Sequence, residues 1–167
     1  GVLPFEDDSL DMVCSHMVME HVQDPAAFLA EAMRTLKPGG YFVGHSIHAY
    51  HYVTGIRRLF NLVPHRWVQA LVKKLYGREE HDTFPTCYRM NSRRALHAAA
   101  EKLGFEPALW EQYANQGYFS FCTPLVRAAV IFDWLLEQAR PGLGRIYFTA
   151  VLRKPGDVGT SVSARAA

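Results

Sequence analysis

The stretch from Arg34 to Ser46, RTLKPGGYFVGHS, constrains the fold more than any other. A helical run ends at Lys37, and Pro38 cannot continue it. Gly39 and Gly40 can take backbone angles closed to other residues. The apolar run 41–47 then reads as a buried strand. Upstream, residues 9–15 (SLDMVCS) follow the turn-like Glu6-Asp7-Asp8-Ser9 and read as another short buried strand. Between the two lies a helix over 25–36. Asp24 suits its N-cap and Pro25 its first position, where a missing N–H costs nothing. Phe28, Leu29, Ala32, Met33 and Leu36 share one face of it. Strand, helix and strand in this order predict two adjacent parallel strands joined by a right-handed crossover.

The same order disposes of a phosphate-binding loop. Such a loop places glycines between a strand and a helix N-terminus, whose N–H groups and dipole hold the anion. Here the glycines follow a helix, at its negative end. Lys37-Pro38-Gly39-Gly40 is therefore expected to be a helix-to-strand turn that touches no ligand, at the sheet end away from any pocket. Pro141-Gly142-Leu143-Gly144-Arg145 precedes a strand as well and fails the same test, and no G-x-G-x-x-G occurs.

Downstream, residues 55–78 read as two short helices broken at Pro64. Trp67, Val68, Leu71, Val72, Leu75 and Tyr76 form an apolar stripe, and every charge in the segment is basic. After a polar loop, residues 91–107 hold a helix capped by Asn91 or Ser92 and stopped by Gly104. Residues 105–113 read as a strand. Thr123-Pro124 opens a helix that Pro141 ends, and 145–154 is a strong strand. The tail 155–167 is small, polar and expected to be disordered. Strands alternating with helices place the chain in the α/β class, with a partly parallel sheet.

With 167 residues the chain is one domain's worth. Its net charge of +2 is too small to argue for nucleic acid, and no apolar run approaches a bilayer span. Three widely spaced cysteines, Cys14, Cys87 and Cys122, argue against a disulfide framework or a zinc site and for a reducing, cytoplasmic setting. The sequence does not begin with Met and opens in what reads as a loop before a strand, so an N-terminal truncation is expected.

Several pieces in order carry a family resemblance. They are Leu3-Pro4-Phe5, Ser9-Leu10-Asp11, Glu20-His21-Val22-Gln23-Asp24-Pro25, and Glu31, Arg34 and Leu36 followed by Lys37-Pro38-Gly39-Gly40. Over residues 2–154 the chain resembles the second half of a class I S-adenosylmethionine-dependent methyltransferase of the type 11-like kind. The resemblance implies a Rossmann-like sheet with parallel strands and an antiparallel closing strand. Residues 1–154 would be a partial domain with a helical insert at about 53–90. It implies S-adenosylmethionine as cofactor and a small-molecule methyl acceptor. The glycine-rich cofactor loop, the ribose-binding acid and the adenine-contacting Asp of that family are not in this sequence. The chain by itself is therefore expected to be inactive and not to bind the cofactor with useful affinity.

Ligands of open α/β sheets bind outside the carboxyl ends of strands. That rule, with the resemblance, makes Ser15, His16 and Met17 the candidate cofactor-binding residues; the alternative is a solvent-facing loop. The resemblance turns the loop after the second strand toward the acceptor, so His48 and Tyr50 are candidate substrate contacts, with His21. His45 is the first choice for a general base, because an imidazole can accept a hydroxyl proton near neutral pH; an aromatic wall without a base is the alternative. Tyr88, Arg89 and Asn91 either bind a polar acceptor or anchor the insert. Some relatives bind a divalent metal through E-x-x-E-H. Here Met17 replaces the first Glu, and no metal is expected, with Glu20 and His21 bonding locally instead. The competing reading is a non-catalytic module that meets a partner or membrane surface through the basic insert 55–78. A nicotinamide-dependent dehydrogenase is disfavoured by the missing fingerprint.

Overall fold

The computed structural model describes residues 1–60, 86–115 and 117–156. Four strands form one sheet: β1 (Leu10–His16), β2 (Leu36–Ile47), β3 (Glu106–Tyr113) and β4 (Tyr147–Arg153). Their spatial order is β1-β2-β4-β3, so β1 and β3 are the edges. β1 and β2 are parallel, as the βαβ pattern predicts, and β4 runs antiparallel to both β2 and β3. Among the described residues four α-helices accompany them: α1 (Pro25–Thr35), α2 (Tyr52–Phe60), α3 (Arg93–Glu101) and α4 (Thr123–Ala139).

Local chemistry sets the helix limits. The Asp24 carboxylate accepts from the Ala26 and Ala27 N–H groups at the start of α1. Ser92, rather than Asn91, caps α3 through its hydroxyl. Gly104, at φ +87°, follows α3 where only a residue without Cβ is comfortable.

The glycine pair departs from the expectation. Lys37-Pro38-Gly39-Gly40 is not a turn outside the sheet but the bulged opening of β2, which starts directly after α1. Leu36 pairs with Leu10, and the next partners are Met12 and Tyr41. The extra residues of β2 are absorbed there, with Gly39 at φ +82°. The backbone remains paired, because Gly39 N–H donates to the Lys154 carbonyl and Lys154 N–H to that of Gly40. A fixed φ at Pro38 and the freedom of Gly39 together make a bulge as readily as a turn, and the ladder with β4 decides between them.

α1 and α3 cover one face of the sheet. The core there comprises Leu29, Ala32 and Leu36 from α1 and its end, Leu96 and Ala100 from α3, and Phe42, Phe148, Ala150 and Leu152 from the strands. Trp110 stacks on Phe148 with ring centroids 4.4 Å apart. The other face, where Met12, Cys14, Tyr41 and Leu109 alternate with the buried set, is open to solvent. All three thiols are free.

α2 and α4 stand at the carboxyl ends of β1 and β2. His51, just before α2, lies 3.7 Å from Asp133 in the middle of α4, and both are buried. Tyr52 meets Phe132 edge-on. Gly144 fits under α4 so closely that a Cβ would sit 2.3 Å from the Asp133 carbonyl oxygen. Most of the predicted basic insert, including the stripe from Trp67 to Tyr76, and residues 157–167 of the tail lie outside the described residues. Among the described residues no helix is long and apolar enough to cross a membrane.

Candidate functional site

Parallel pairing brings the ends of β1 and β2 into register, with His16 opposite His45. Antiparallel pairing then sets His45 opposite Thr149, and Tyr147 opposite Tyr113. Because strand side chains alternate, these residues all rise from the open face of the sheet. The result is a row of near-parallel rings. His16 and His45 stack with centroids 4.9 Å apart, and His45 stacks on Tyr113 and Tyr147 at 5.5 and 5.4 Å.

His45 is the hub of this row. Its Nδ1 is hydrogen-bonded to the Tyr113 hydroxyl and lies 3.3 Å from Thr149 Oγ1. The Tyr113 and Thr149 hydroxyls are 3.1 Å apart. Burial pushes the His45 pKa below the ordinary histidine range, the neighbouring His16 pushes it further the same way, and Glu20 opposes them. His45 is thus neutral near pH 7 and able to accept a proton.

An open hollow of about 530 Å³ is lined by His16, Met17, His45, Tyr113, Asn115 and Tyr147. Among the described residues its lining includes no Lys, Arg, Asp or Glu. Met17 turns at its rim with φ +54°, held by its N–H donating to the His45 carbonyl. The structure therefore places the sequence candidates His16, Met17 and His45 around one hollow, without Ser15. Tyr113, Asn115 and Tyr147 were not in that reading. The only signal in the sequence was topological: an antiparallel closing strand begins where the parallel strands end, and the register that brings Tyr113 and Tyr147 to His45 comes from the ladders β2-β4 and β4-β3.

The remaining candidates stand elsewhere. Ser15 is buried on the helix-covered face, and among the described residues its hydroxyl has no hydrogen-bond partner. Asn91 is fully buried, donating to Ser46 Oγ at 2.8 Å and the Ile47 carbonyl at 3.0 Å. Ser46 in turn donates to the buried Glu20 carboxylate at 2.5 Å. This Glu20–Ser46–Asn91 chain lies behind β2 and ties the start of α3 to the strand end. Tyr88 packs against Ile47, Ala49 and Ile146. Arg89 is exposed and donates to the Gln23 carbonyl at 2.8 Å. His21 Nε2 is 3.9 Å from Glu20, beyond hydrogen-bond distance, and the Glu20 carboxylate is bonded to Ser46 instead. His48 turns its ring edge toward Tyr50 and Trp110, and Tyr50 is largely exposed.

Gly44 explains how the two faces of β2 coexist. A Cβ there would lie 2.6 Å from Met19 Sδ, so only glycine lets Met19 press against the sheet directly behind the ring row.

Residues 2–44 match the family model of the methyltransferase domain. An uncharacterized methyltransferase of Schizosaccharomyces pombe is 54% identical over 39 residues, covering 23% of this chain and 14% of its own. One from Mycobacterium marinum is 39% identical over 66 residues, 33% of this chain and 26% of its own. Among solved structures, a SAM-dependent methyltransferase from Methanosarcina mazei superposes over 93% of this chain and 64% of its own, with TM-score 0.52 and 17% identity. The fold is that of the class I S-adenosylmethionine-dependent methyltransferases. The chain spans less than two thirds of the length of each of these relatives. Within this methyltransferase fold, the matched segment supplies β1, α1 and most of β2. It holds His16 and Met17 and stops just before His45.

Proposed function

We propose that this chain forms the acceptor-facing part of a cytoplasmic S-adenosylmethionine-dependent methyltransferase acting on a small, uncharged molecule. The observation that carries the reading is the meeting of His16, Met17 and His45 with Tyr113 and Tyr147 in one hollow, at the carboxyl ends of parallel strands. The chemistry of the lining fits the sulfonium end of the cofactor. Electron-rich ring faces favour a cation, and His45, held neutral, does not repel one. His16 and Met17 would flank that end. When bound, the cofactor supplies an electrophilic methyl group.

The chain's own residues do the rest. The ring row shapes the hollow, and the absence of a formal charge among the described lining residues disfavours an acceptor carboxylate or phosphate, which would lose hydration without a cationic partner. The Asn115 amide offers both a donor and an acceptor to a polar substituent. His45 takes the proton from the acceptor hydroxyl or amine, which leaves the lone pair free for in-line attack.

Equilibrium binding of S-adenosylmethionine to the product of the complete gene tests the reading, together with transfer of labelled methyl to a panel of neutral hydroxylated compounds. Saturable micromolar binding is expected, with a His45→Gln variant that binds the cofactor normally but transfers methyl about 10²–10⁴-fold more slowly. No saturable binding, or transfer unaffected in the variant, would overturn it.

A further inference from the structure

We propose that Tyr113, backed by Thr149, is a positioning residue that fixes His45 in the tautomer with a proton on Nδ1 and a bare Nε2 facing the hollow. The inference deepens the reading above and rests on His45 being the base. Its foundation is an asymmetry around one imidazole. Two oxygens converge on Nδ1: the Tyr113 hydroxyl, which is in direct hydrogen bond, and Thr149 Oγ1 at 3.3 Å. Among the described residues Nε2 has only the Tyr113 oxygen, at 3.4 Å. Both hydroxyls can accept, so the nitrogen with two acceptors is the better seat for the proton. An N–H without a good acceptor is tolerated less well than a lone pair without a donor.

The bonds then run in one direction. His45 Nδ1–H donates to the Tyr113 oxygen, and the Tyr113 O–H donates to Thr149 Oγ1, 3.1 Å away. Tyr113 is anchored to do this, since β3 pairs it with Tyr147 and its ring stacks on that of His45. When Nε2 takes a proton from the acceptor, the imidazolium that forms keeps its Nδ1–H in a hydrogen bond. No proton leaves the Tyr113–Thr149 pair, and charge is conserved between acceptor and imidazole. The groups facing His45 are His16 from β1, Tyr113 from β3, Tyr147 and Thr149 from β4, and Glu20 from the turn after β1. Among them only the two hydroxyls reach Nδ1.

Long-range ¹H–¹⁵N spectra of the ¹⁵N-histidine-labelled chain at pH 7.5, followed by a pH titration, test this directly. They need no methyl donor, so their outcome is separate from whether the protein transfers methyl groups. In the native chain His45 is expected to show a protonated Nδ1 and a bare Nε2. Tyr113→Phe should raise the Nε2–H tautomer and lower the His45 titration midpoint by roughly 0.5–1 pH unit, the loss of one hydrogen bond to the charged form. Thr149→Val should keep the Nδ1–H tautomer, because Tyr113 remains. A native His45 protonated on Nε2 would overturn the proposal even if neither variant folds. So would a Tyr113→Phe chain with native dispersion and an unchanged His45 tautomer and midpoint.

Discussion

The buried pair between α2 and α4 makes stability depend on pH in a way that can be calculated. Burial holds His51 at a pKa of about 4, against an ordinary 6.5; Asp133 opposes the drop and His48 adds to it. The folded-state pKa is depressed, so between those values the unfolded chain binds a proton that the folded chain refuses. Stability is therefore complete above about pH 6.5 and is lost as pH falls toward 4, where the loss levels off. At pH 4.5 the ratio of the two binding polynomials is about 80, which corresponds to ~2.5 kcal/mol. Solvent screening at the start of a short helix trims this to ~1.5–2.5 kcal/mol. The assay is urea unfolding of the native chain and a His51→Gln variant at several values between pH 7.5 and 4.5. Glutamine cannot titrate, and its carbonyl can still accept from the Val53 N–H that now meets His51 Nδ1. Taking the difference between the two chains cancels the other histidines. The native chain should lose ~1.5–2.5 kcal/mol more than the variant over that range. Parallel curves, differing by less than about 0.5 kcal/mol at the acid end, would refute the reasoning.

Further expectations follow from single contacts. Gly144→Ala should destabilise by about 1–3 kcal/mol, because the new Cβ meets the Asp133 carbonyl at 2.3 Å and backbone must move; thermal unfolding will read it. Lys154→Met should cost ~1–3 kcal/mol, since Lys154 Nζ donates to the Met33 and Leu36 carbonyls at the end of α1, at 2.8 and 2.7 Å; a variant within 0.3 kcal/mol of native would show those carbonyls are served by water. Asp24→Ala should cost ~1 kcal/mol through loss of the α1 cap, seen as earlier exchange of the Ala26 and Ala27 amides. Phe42→Ala, at a fully buried side chain, should cost about 3–5 kcal/mol in the same unfolding assay.

What the sequence made legible was what period and polarity control. A helix between two short apolar runs, capped by Asp24 and followed by Pro38, can hardly avoid a parallel pair, and β1 and β2 are that pair. Residue identity at strand ends gave His16, Met17 and His45 for the same reason. The gaps are equally physical. By sequence Asn91 is either an acceptor contact or an anchor, and Glu20 bonds locally to His21; the buried Ser46 that both of them meet is a partner only the fold could supply. Tyr113 and Tyr147 are far apart in sequence and look like ordinary strand aromatics. Their meeting with His45 depends on the β2-β4-β3 register, which no local pattern encodes.

At the end of the sheet where β1 and β2 begin, Lys37 pairs with Asp11, Lys154 with Asp8, and Arg34 with Asp7 and Glu31. Such partly exposed pairs contribute little each. They fix the bulged opening of β2 and the closing strand to α1, and so fix the register that reaches His45 and Thr149 at the far end. Among the described residues, the hollow there is lined by neutral groups. In that setting the two hydroxyls act at hydrogen-bond distance, so the orientation of one imidazole can be controlled by Tyr113 and Thr149 even with Glu20 nearby. A lysine or carboxylate placed in the hollow would override them. Tyr147→Lys, for instance, would set an ammonium beside His45, where the Tyr147 ring now lies 5.4 Å away. It should lower the His45 titration midpoint further, by about 1 pH unit or more at an effective dielectric of ~20. A midpoint that did not move would mean that water, rather than the ring row, sets the field at this site.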